Sequence, residues 1–438
     1  MNNLATAADL GAENKPSTFD IVQKSLAKRR SAERRFKAYG LTGIMLGLMF
    51  LLVLFTSIIG KGYTAFVQTQ VKLDIYFDAE WLDPEHGGDD ALAKADYNGL
   101  IKKSLSTAFP EVTQRRDKRD LYAMVSSGAG FLLREMVTAD KSLLGKTVPV
   151  WLPADDDIDM LMKGHIDREQ DQANRRVNDK QLAWIDRLSQ EVRIEKHFNA
   201  LFFTAGDSRE PEMAGIRGAL MGSLLTLVGT FLLSFPIGVA TAVYLEEFAP
   251  INKFTDFIEV NINNLAAVPS IVFGLLGLAM FINFFGLPRS TPVIGCLVLT
   301  LMTLPTIIIA GRASLKSVPP SIREAALGMG ASKLQTITHH VLPLAMPGMM
   351  TGSIIGMARA LGETAPLLMI GMVAFIVDVP TSFTQPSTVL PVQIYLWADS
   401  PERAFVERTS AAIMVLLFFL ISMNGLAVYL RRRYERRW

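Results

Sequence analysis

The chain has 438 residues, a formal net charge of +2 and a hydrophobic fraction of 50%. This apolar content indicates a membrane protein, and the small net charge gives no support to nucleic-acid binding. The one cysteine, Cys296, lies in an apolar run, which excludes an internal disulfide framework. None of the five histidines has a cysteine or histidine partner at metal-ligand spacing, so no zinc site is predicted.

Residues 1–37 form a polar segment whose end is rich in lysine and arginine. The charge-free stretch 38–60 follows, and about 20 apolar residues suffice to cross a bilayer. Basic residues flank spans on the cytoplasmic side, so we predict a cytoplasmic tail over 1–37 and a first transmembrane helix over 38–60. The stretch is too long for a cleaved secretory signal and lacks a small-residue cleavage pattern.

Residues 61–217 are frequently charged and contain no apolar run long enough to span a bilayer. About 150 residues is a typical domain size, so we predict one soluble α+β domain on the periplasmic side of the membrane. Within it, alternating apolar residues over 73–77 predict a strand, and 174–199 is predicted to be a helix.

An acidic cluster lies inside this domain and comprises Asp155, Asp156, Asp157 and Asp159. A calcium-binding loop requires a glycine and a distal glutamate at fixed positions, where this chain has Met160 and Ile166. We therefore predict a solvated loop in preference to a metal site, because blocks of like charge are usually exposed.

Five more apolar stretches are long enough to cross a membrane. The predicted spans are 218–245, 262–286, 290–311, 348–375 and 409–430. Together with 38–60 they make six, which places both basic ends of the chain in the cytoplasm, including the arginines Arg436 and Arg437. The predicted fold class is an all-α polytopic membrane protein of six helices with an inserted soluble domain.

The loop 312–347 carries the start signals of two short helices on the cytoplasmic side. Ser321 with Glu324 has the spacing of a capping box just after Pro320, and Ser332 with Gln335 forms a second one. The apolar positions of the two helices are Ile322, Ala325, Ala326 and Met329, then Leu334, Ile337 and Val341.

The same loop carries signals for helix ends and for a partner. Gly328 or Gly330 can supply the left-handed residue that ends the first helix, and Pro343 is expected to end the second. The small side chains of Ala325 and Ala326 leave one face flat enough for the backbone of another protein to approach.

Two charged residues lie inside the predicted span 348–375. Arg359 lies toward the bilayer midplane, where an arginine costs ~2.5–3.5 kcal/mol, and Glu363 follows four residues later on the same helix face. The two could form a structural pair that only neutralises itself. We favour a site where an anion passes, because intramembrane ionisable residues are functional by default and a guanidinium offers forked donors to a tetrahedral oxyanion.

The loop resembles the EAA signature of ABC-importer permeases. Glu324-Ala325-Ala326 is followed by Gly330 and then by Val341-Leu342-Pro343, with His340 where the signature usually has an aliphatic residue. The resemblance implies a coupling helix that docks on a cytoplasmic ATPase. It also implies that Glu324, Ala325, Ala326, Gly330 and Pro343 serve this coupling.

Residues 269–275, 304–306 and 359–366 resemble the phosphate permeases of the PstA type, and the similarity covers about 215–438 and the first span. It implies a substrate pathway at Arg359, Glu363 and Thr364, and a multi-pass protein of the bacterial inner membrane. The implied partners are a second permease of the PstC type, an ATPase dimer of the PstB type and a periplasmic phosphate-binding protein of the PstS type.

The chain contains no Gly-x-x-x-x-Gly-Lys-Ser/Thr loop, so we expect no enzymatic activity and no bound cofactor, with ATP and Mg²⁺ on the partner ATPase. Two other functions fit the sequence. One is a permease for another oxyanion, such as sulfate or molybdate. The other is a membrane-bound periplasmic sensor, although four spans would then be unexplained. For the inserted domain 61–217 we suggest a docking platform for the binding protein.

Overall fold

The computed structural model describes residues 18–83, 87–373 and 375–434. Residues 1–17 of the predicted tail, His86 and the C-terminal Arg436 and Arg437 lie outside the described residues. By its internal contacts the chain divides into two units, 1–58 and 59–438.

The described chain is mainly helical, with three strands. The helices are α1 Thr18–Gly62, α2 Ala79–Leu82, α3 Asp89–Lys94, α4 Tyr97–Ala108, α5 Arg115–Tyr122, α6 Ala129–Ala139, α7 Asp156–Met162, α8 Asp179–Gln190, α9 Ala200–Thr204, α10 Arg217–Val243, α11 Lys253–Ala266, α12 Ser270–Gly277, α13 Pro292–Lys316, α14 Pro320–Gly328, α15 Lys333–Thr336, α16 Leu342–Gly362, α17 Ala365–Met369, α18 Leu390–Ala398 and α19 Ala404–Tyr434. The strands are β1 Val67–Tyr76, β2 Thr147–Pro153 and β3 Ile194–Phe198.

The first unit consists, as far as it is described, of residues 18–58 of the long helix α1, whose last four residues belong to the second unit. This helix contains the whole of the predicted span 38–60 and also part of the predicted tail. Its large apolar side chains are exposed, for example Phe50 and Leu52 at 67% each. An apolar helix surface of this kind is suited to lipid or to another membrane helix.

The inserted domain is built on a small antiparallel sheet with the strand order β2-β1-β3. The central strand β1 pairs Leu73 with Val150 and Val71 with Ile194. Alternate residues of β1, including Leu73 and Ile75, are fully buried in the core that helices α3 to α8 cover. The strand predicted over 73–77 is therefore confirmed, with an earlier start.

The helix predicted over 174–199 is wrong in its second half. Helix α8 begins at a capping box of Asn178 and Gln181 but ends at Gln190. The chain then turns through Val192, which has a φ of 56°, and continues as β3. Pairing of β3 with β1 outweighs the local helix preference, because a strand gains ladder hydrogen bonds and packing from its neighbour.

The acidic cluster is not the predicted solvated loop. Asp155 caps helix α7, and Asp156 and Asp157 occupy its first turn. Asp159 is 5% exposed, accepts a hydrogen bond from the Thr69 backbone N–H at 2.7 Å and pairs with a buried lysine. Carboxylates are stabilised at a helix N-terminus, so the like charges are compatible with an ordered, partly buried helix.

Among the described residues, five helices are long and apolar enough to cross a membrane, and a bent pair makes a possible sixth. The five are α1, α10, α13, α19 and the run Lys333–Gly362, which comprises α15, a π-turn and α16. We call this run the α15–α16 rod. The bent pair is α11 and the run Ser270–Phe284, which meet at 103°.

Two predicted spans differ from the structure, and a proline lies at each break. The span predicted over 262–286 is divided between α11 and α12 at Pro269. The span predicted over 348–375 ends with α16 at Gly362, and a separate short helix starts just before Pro366. Proline has no N–H for a helical bond and forces the preceding residue away from helical backbone angles.

Helix α13 lies between α10 and α16 and packs closely on both. A Cβ added at Gly352 of α16 would lie 2.2 Å from the Cβ of Ala310, and one at Gly348 would lie 2.2 Å from Ser314 Oγ. Small residues four positions apart thus let the α13 and α16 backbones approach, as in other membrane helix pairs.

Gly352→Val tests this packing. The added methyl groups meet Ala310 at less than contact distance, so we expect a loss of about 1–3 kcal/mol of stability from overpacking. Thermal unfolding in detergent measures it. The matched control is Gly425→Val, where an added Cβ meets nothing within 4 Å. Equal melting temperatures for the two variants would contradict the close α13–α16 contact.

Candidate functional site

Helix α14 forms the first half of the predicted coupling loop, but it does not start with the predicted capping box. Pro319 is the N-cap, Pro320 is in the first turn, and no side chain caps the helix. Proline at the first helical position has its φ preset and needs no N–H partner, so the Pro-Pro pair starts the helix without Ser321. Glu324 is therefore exposed and makes no hydrogen bond or ion pair with any described residue.

The turn after α14 agrees with the prediction. Gly330 has a φ of 89°, the left-handed conformation that glycine adopts without strain. The Ala331 N–H donates to the Ala326 carbonyl at 3.1 Å, which ties the turn to the helix end. The second predicted capping box, Ser332 with Gln335, is confirmed by both of its reciprocal hydrogen bonds.

Pro343 does not end the second helix, contrary to the prediction. The π-turn Ile337–Val341 precedes it, and Pro343 lies in the first turn of α16. The changed hydrogen-bond spacing of a π-turn accommodates a residue that lacks an N–H. The α15–α16 rod consequently runs without a break from the loop to Gly362.

The structure separates the predicted coupling residues by accessibility. Glu324, Ala325 and Gly330 are exposed, Pro343 is half-buried, and Ala326 is only 2% exposed. Ala326 thus belongs to the packing of the loop within the chain. The flat face expected from both alanines is present at Ala325 alone.

Three apolar side chains on this loop are exposed, and of these only Leu327 was not singled out from the sequence. They are Leu327, Leu334 and Met329, which are 50%, 61% and 80% exposed. Helical periodicity assigned Met329 to the apolar face of α14, but the helix ends at Gly328 and the chain turns away. Exposed apolar side chains on both sides of one turn are suited to contact with another protein.

Arg323 anchors α14 to the helix bundle through partners that sequence reasoning did not predict. Its Nη2 donates to Glu247 Oε1 at 2.7 Å and to the Leu315 carbonyl at 2.9 Å. Its Nη1 donates to the Val318 carbonyl at 2.8 Å. One guanidinium therefore holds the start of α14 against the C-terminal end of α13 and the π-turn that extends α10.

A second group of ion pairs lies beside the first. Arg312 of α13 donates from Nε to Glu246 Oε2 at 3.2 Å and also contacts Glu259 of α11. Lys316 lies 3.7 Å from Glu246. Charged bonds of this kind link α10, α11 and α13 at the end of the bundle where α14 sits.

Arg359 and Glu363 face each other at the far end of the rod. Arg359 lies in the last turn of α16, where the helix dipole favours a positive charge, and not mid-span as predicted. Its Nε is 3.5 Å from Glu363 Oε1, at the limit of a hydrogen bond. Its side chain is 48% exposed, and its Nη1 and Nη2 have no partner among the described residues.

The break after Arg359 sets the position of the other two pathway residues. Glu363 has extended backbone angles and a side chain that is 18% exposed. Thr364 is half-buried and precedes α17 without capping it. Arg359, Glu363 and Thr364 thus lie together at one helix break, with guanidinium donors free to bind an anion.

The comparisons with known proteins identify the class. Residues 234–436 match the family of binding-protein-dependent transport system inner membrane components, and residues 23–172 match a domain of unknown function, DUF3333. The inward-facing MetNI methionine ABC transporter is similar at 20% identity and a TM-score of 0.42, over 50% of this chain and 96% of that chain. The match assigns residues 234–436 to the permease components of this class, and the helical bundle with its inserted domain agrees with the predicted fold class.

The curated relatives show to which family of permeases the chain belongs. The chain is 33% identical to the phosphate transport system permease protein PstA 1 of Mycobacterium tuberculosis, over 50% of this chain and 70% of that protein. It is 39% identical to the probable ABC transporter permease protein YqgI of Bacillus subtilis, over 38% of this chain and 56% of that protein. The chain belongs to the PstA family of phosphate transport system permeases. It is a multi-pass inner-membrane protein, and the family consists of permease subunits, not enzymes.

Arg323→Ala tests the anchoring of α14. The variant loses charge-assisted hydrogen bonds worth about 1.5–3 kcal/mol each, so amide hydrogen exchange over 320–330 should accelerate at least tenfold. Mass spectrometry of the exchanged protein measures this. Lys316→Ala is the control, because the Lys316 side chain is 61% exposed and makes one long contact. Unchanged exchange in Arg323→Ala would show that the guanidinium does not hold the helix.

Proposed function

We propose that this chain is the permease subunit of an ATP-driven importer of inorganic phosphate. Family membership supports the transport class and the substrate. The observation that carries the proposal is Arg359, whose Nη1 and Nη2 are unpaired among the described residues at a break in an apolar helix. A guanidinium in this state binds a tetrahedral oxyanion with two parallel hydrogen bonds.

Glu363 gives the site a means of releasing its ligand. Its carboxylate is close enough to Arg359 to compete for the guanidinium, yet the 3.5 Å contact is weak. Transport requires binding that is strong enough to admit an ion and weak enough to let it leave. Thr364 at the same break adds a hydroxyl that can donate to a phosphate oxygen.

The ATPase would dock on the loop around α14. In this proposal the loop and both chain termini face the cytoplasm, and ATP and Mg²⁺ bind to the partner ATPase of the PstB type. Leu327, Met329 and Leu334 would enter a groove of the ATPase, with Glu324, Ala325 and Gly330 beside them. Arg323 would pass the movement of the docked helix to α10 and α13 through Glu247 and the Leu315 carbonyl.

The complete transporter would need two further proteins. A second permease of the PstC type would supply the other half of the pathway, and exposed α1 offers an apolar surface for a membrane partner. A phosphate-binding protein of the PstS type would deliver the ion on the periplasmic side. The domain 61–217 would lie on that side, and we assign it the role of docking platform for the binding protein.

Arg359→Ala should reduce phosphate uptake while the complex still assembles. Loss of charge-assisted hydrogen bonds worth about 1.5–3 kcal/mol predicts a fall of roughly 10- to 100-fold. Arg359→Lys should recover part of the rate, because an ammonium keeps the charge but lacks the fork. Uptake of labelled phosphate into membrane vesicles is the measurement, with Arg289→Ala as control.

Normal uptake by Arg359→Ala would rule out this residue as the pathway charge. The same vesicles separate phosphate from other oxyanions. Excess sulfate or molybdate should leave phosphate uptake unchanged. If either anion competes strongly, that anion becomes the proposed substrate instead of phosphate.

Met329→Asp should weaken association with the ATPase. The side chain is 80% exposed, so the substitution should leave the fold intact while placing a charge in an apolar contact. Co-purification of the tagged permease with its ATPase measures the effect, and we expect a loss of at least tenfold in the bound fraction. The control is Phe131→Asp, which changes an exposed apolar side chain of the inserted domain. Equal recovery of the ATPase with both variants would exclude this surface as the docking site.

A further inference from the structure

An apolar cavity of about 350 Å³ lies where α10, α16 and α19 meet in the membrane-spanning bundle. Its lining residues on α16 run from Met346 to Leu361, which lie about 22 Å apart along the helix axis. The cavity is therefore long and narrow. The lining side chains of Leu232 and Leu426 are 62% and 54% exposed, so the cavity opens onto the apolar outer surface of the bundle.

The wall of the cavity is suited to a flexible apolar chain. All but two of its lining residues are apolar, and four of them are methionines: Met346, Met350, Met357 and Met423. Methionine is unbranched and polarizable, so it adapts its shape to what it contacts. Phe231 and Phe235 of α10 stack with ring centres 5.3 Å apart and add a flat apolar wall. This combination fits an acyl chain better than a rigid molecule.

The two polar residues of the wall are Ser353 and Asn424. Ser353 is 2% exposed, and its hydroxyl has no hydrogen-bond partner among the described residues. Asn424 is half-buried, and its amide also makes no hydrogen bond within the described part of the chain. A buried polar group without a partner is costly. Both groups can donate to an oxygen of a molecule that occupies the cavity.

Positive charge lies at one end of the cavity. Arg431 of α19 donates from Nη1 to Thr351 Oγ1 of α16 at 2.9 Å, and Thr351 follows the lining residue Met350. Arg431 begins the run of three arginines 431–433, none of which forms an ion pair with a described carboxylate. Tyr429, two residues earlier, is 59% exposed, and tyrosine is enriched where transmembrane helices meet the bilayer surface.

The polar groups follow one another in depth from this charged end. Ser353 lies two residues from Thr351, which is about 3 Å along α16. Asn424 lies seven residues from Arg431, which is about 10 Å along α19. Deeper in the bundle the lining is apolar as far as Leu361. A molecule with a charged head, a polar neck and an apolar tail matches this order.

We propose that the cavity binds one phospholipid with an anionic headgroup. An acyl chain would lie between α10, α16 and α19, the ester oxygens would accept hydrogen bonds from Ser353 and Asn424, and the phosphate would lie against the arginine run 431–433. Basic groups between transmembrane helices at the membrane surface are suited to anionic headgroups. The lipid would stabilise the packing of α19 on the α15–α16 rod, whichever anion the transporter carries.

Native mass spectrometry of the full-length protein in detergent tests the site. Delipidated protein is titrated with phosphatidylglycerol or with phosphatidylcholine of the same acyl chains. We expect one tightly held phosphatidylglycerol per chain and at least tenfold weaker retention of phosphatidylcholine, because only the first carries a net negative charge. Phosphatidylglycerol should also raise the melting temperature of the protein. Equal retention of the two lipids, or no tightly held first lipid, would overturn the proposal.

Charge substitutions test the headgroup end of the site. A triple variant that replaces each arginine of the run 431–433 by glutamine should retain phosphatidylglycerol at least tenfold less and lose the preference over phosphatidylcholine. The control replaces three exposed arginines of α1 by glutamine, namely Arg29, Arg30 and Arg34, and should keep both. An unchanged preference in the first variant, or equal losses in the two variants, would contradict the proposed headgroup position.

Ala427→Phe tests the acyl-chain end. Ala427 lines the cavity from α19, so a phenyl ring would occupy the space of the chain and should lower retention of both lipids at least tenfold. The control is Gly425→Phe on the same helix, where an added Cβ meets nothing within 4 Å. If Ala427→Phe does not fold, Met350→Trp fills the cavity from α16 and carries the same expectation. Native retention by a folded cavity-filling variant would overturn the proposal.

Two further measurements distinguish the lipid from other occupants. Excess inorganic phosphate should not displace phosphatidylglycerol, because the buried acyl chain contributes to its binding. Displacement would assign the arginines to free phosphate. The assembled transporter should retain the lipid, and its loss on assembly would assign the cavity to a helix of the second permease. Neither outcome bears on the proposed phosphate pathway, which the uptake measurements on Arg359 variants test separately.

Discussion

The contact between α13 and α16 is the constraint on which the transport half of the molecule depends. Glycines at positions 348 and 352 let the two helix backbones approach until an added Cβ would overlap with Ser314 or Ala310. Helix α13 leads directly into α14, and the α15–α16 rod begins just after it. The rod has 30 residues and is therefore about 45 Å long, so it joins the loop around α14 to Arg359 in a single continuous helical run.

Each end of this rod is fixed by a different kind of interaction. At the loop end, charged hydrogen bonds of Arg323 to Glu247 and to backbone carbonyls tie α14 to α10 and α13. At the other end, the break before Pro366 stops the helix and leaves the Arg359 guanidinium mostly unpaired. In the proposed transporter, docking of an ATPase at one end would reposition the anion site at the other without any change inside the rod.

Local signals in the sequence were sufficient where short-range chemistry decides the structure. The alternation around Leu73 predicted a buried strand, and the Ser332–Gln335 spacing predicted a capping box that is present. Local signals failed where distant parts of the chain meet. Residues 194–198 became a strand because they pair with β1, and Ala326 is buried because α14 packs on its own bundle.

In the candidate site, too, local sequence signals predicted some features, whereas others depend on contacts between distant parts of the chain. The sequence pointed to Arg359 and Glu363 because charges are rare in apolar spans, but it could not show that the helix ends between them. It also could not show that Arg323 meets Glu247, a residue 76 positions earlier in the chain.

The rigidity of the rod is tested most directly by distance measurements in the assembled transporter. Spin labels at positions 334 and 362 mark its two ends, and a third label at position 251 marks the connection between α10 and α11. With and without ATP, the distance between labels 334 and 362 should stay constant while the distance from 362 to 251 changes. A change of the 334–362 distance on ATP binding would contradict transmission through an unbroken helix.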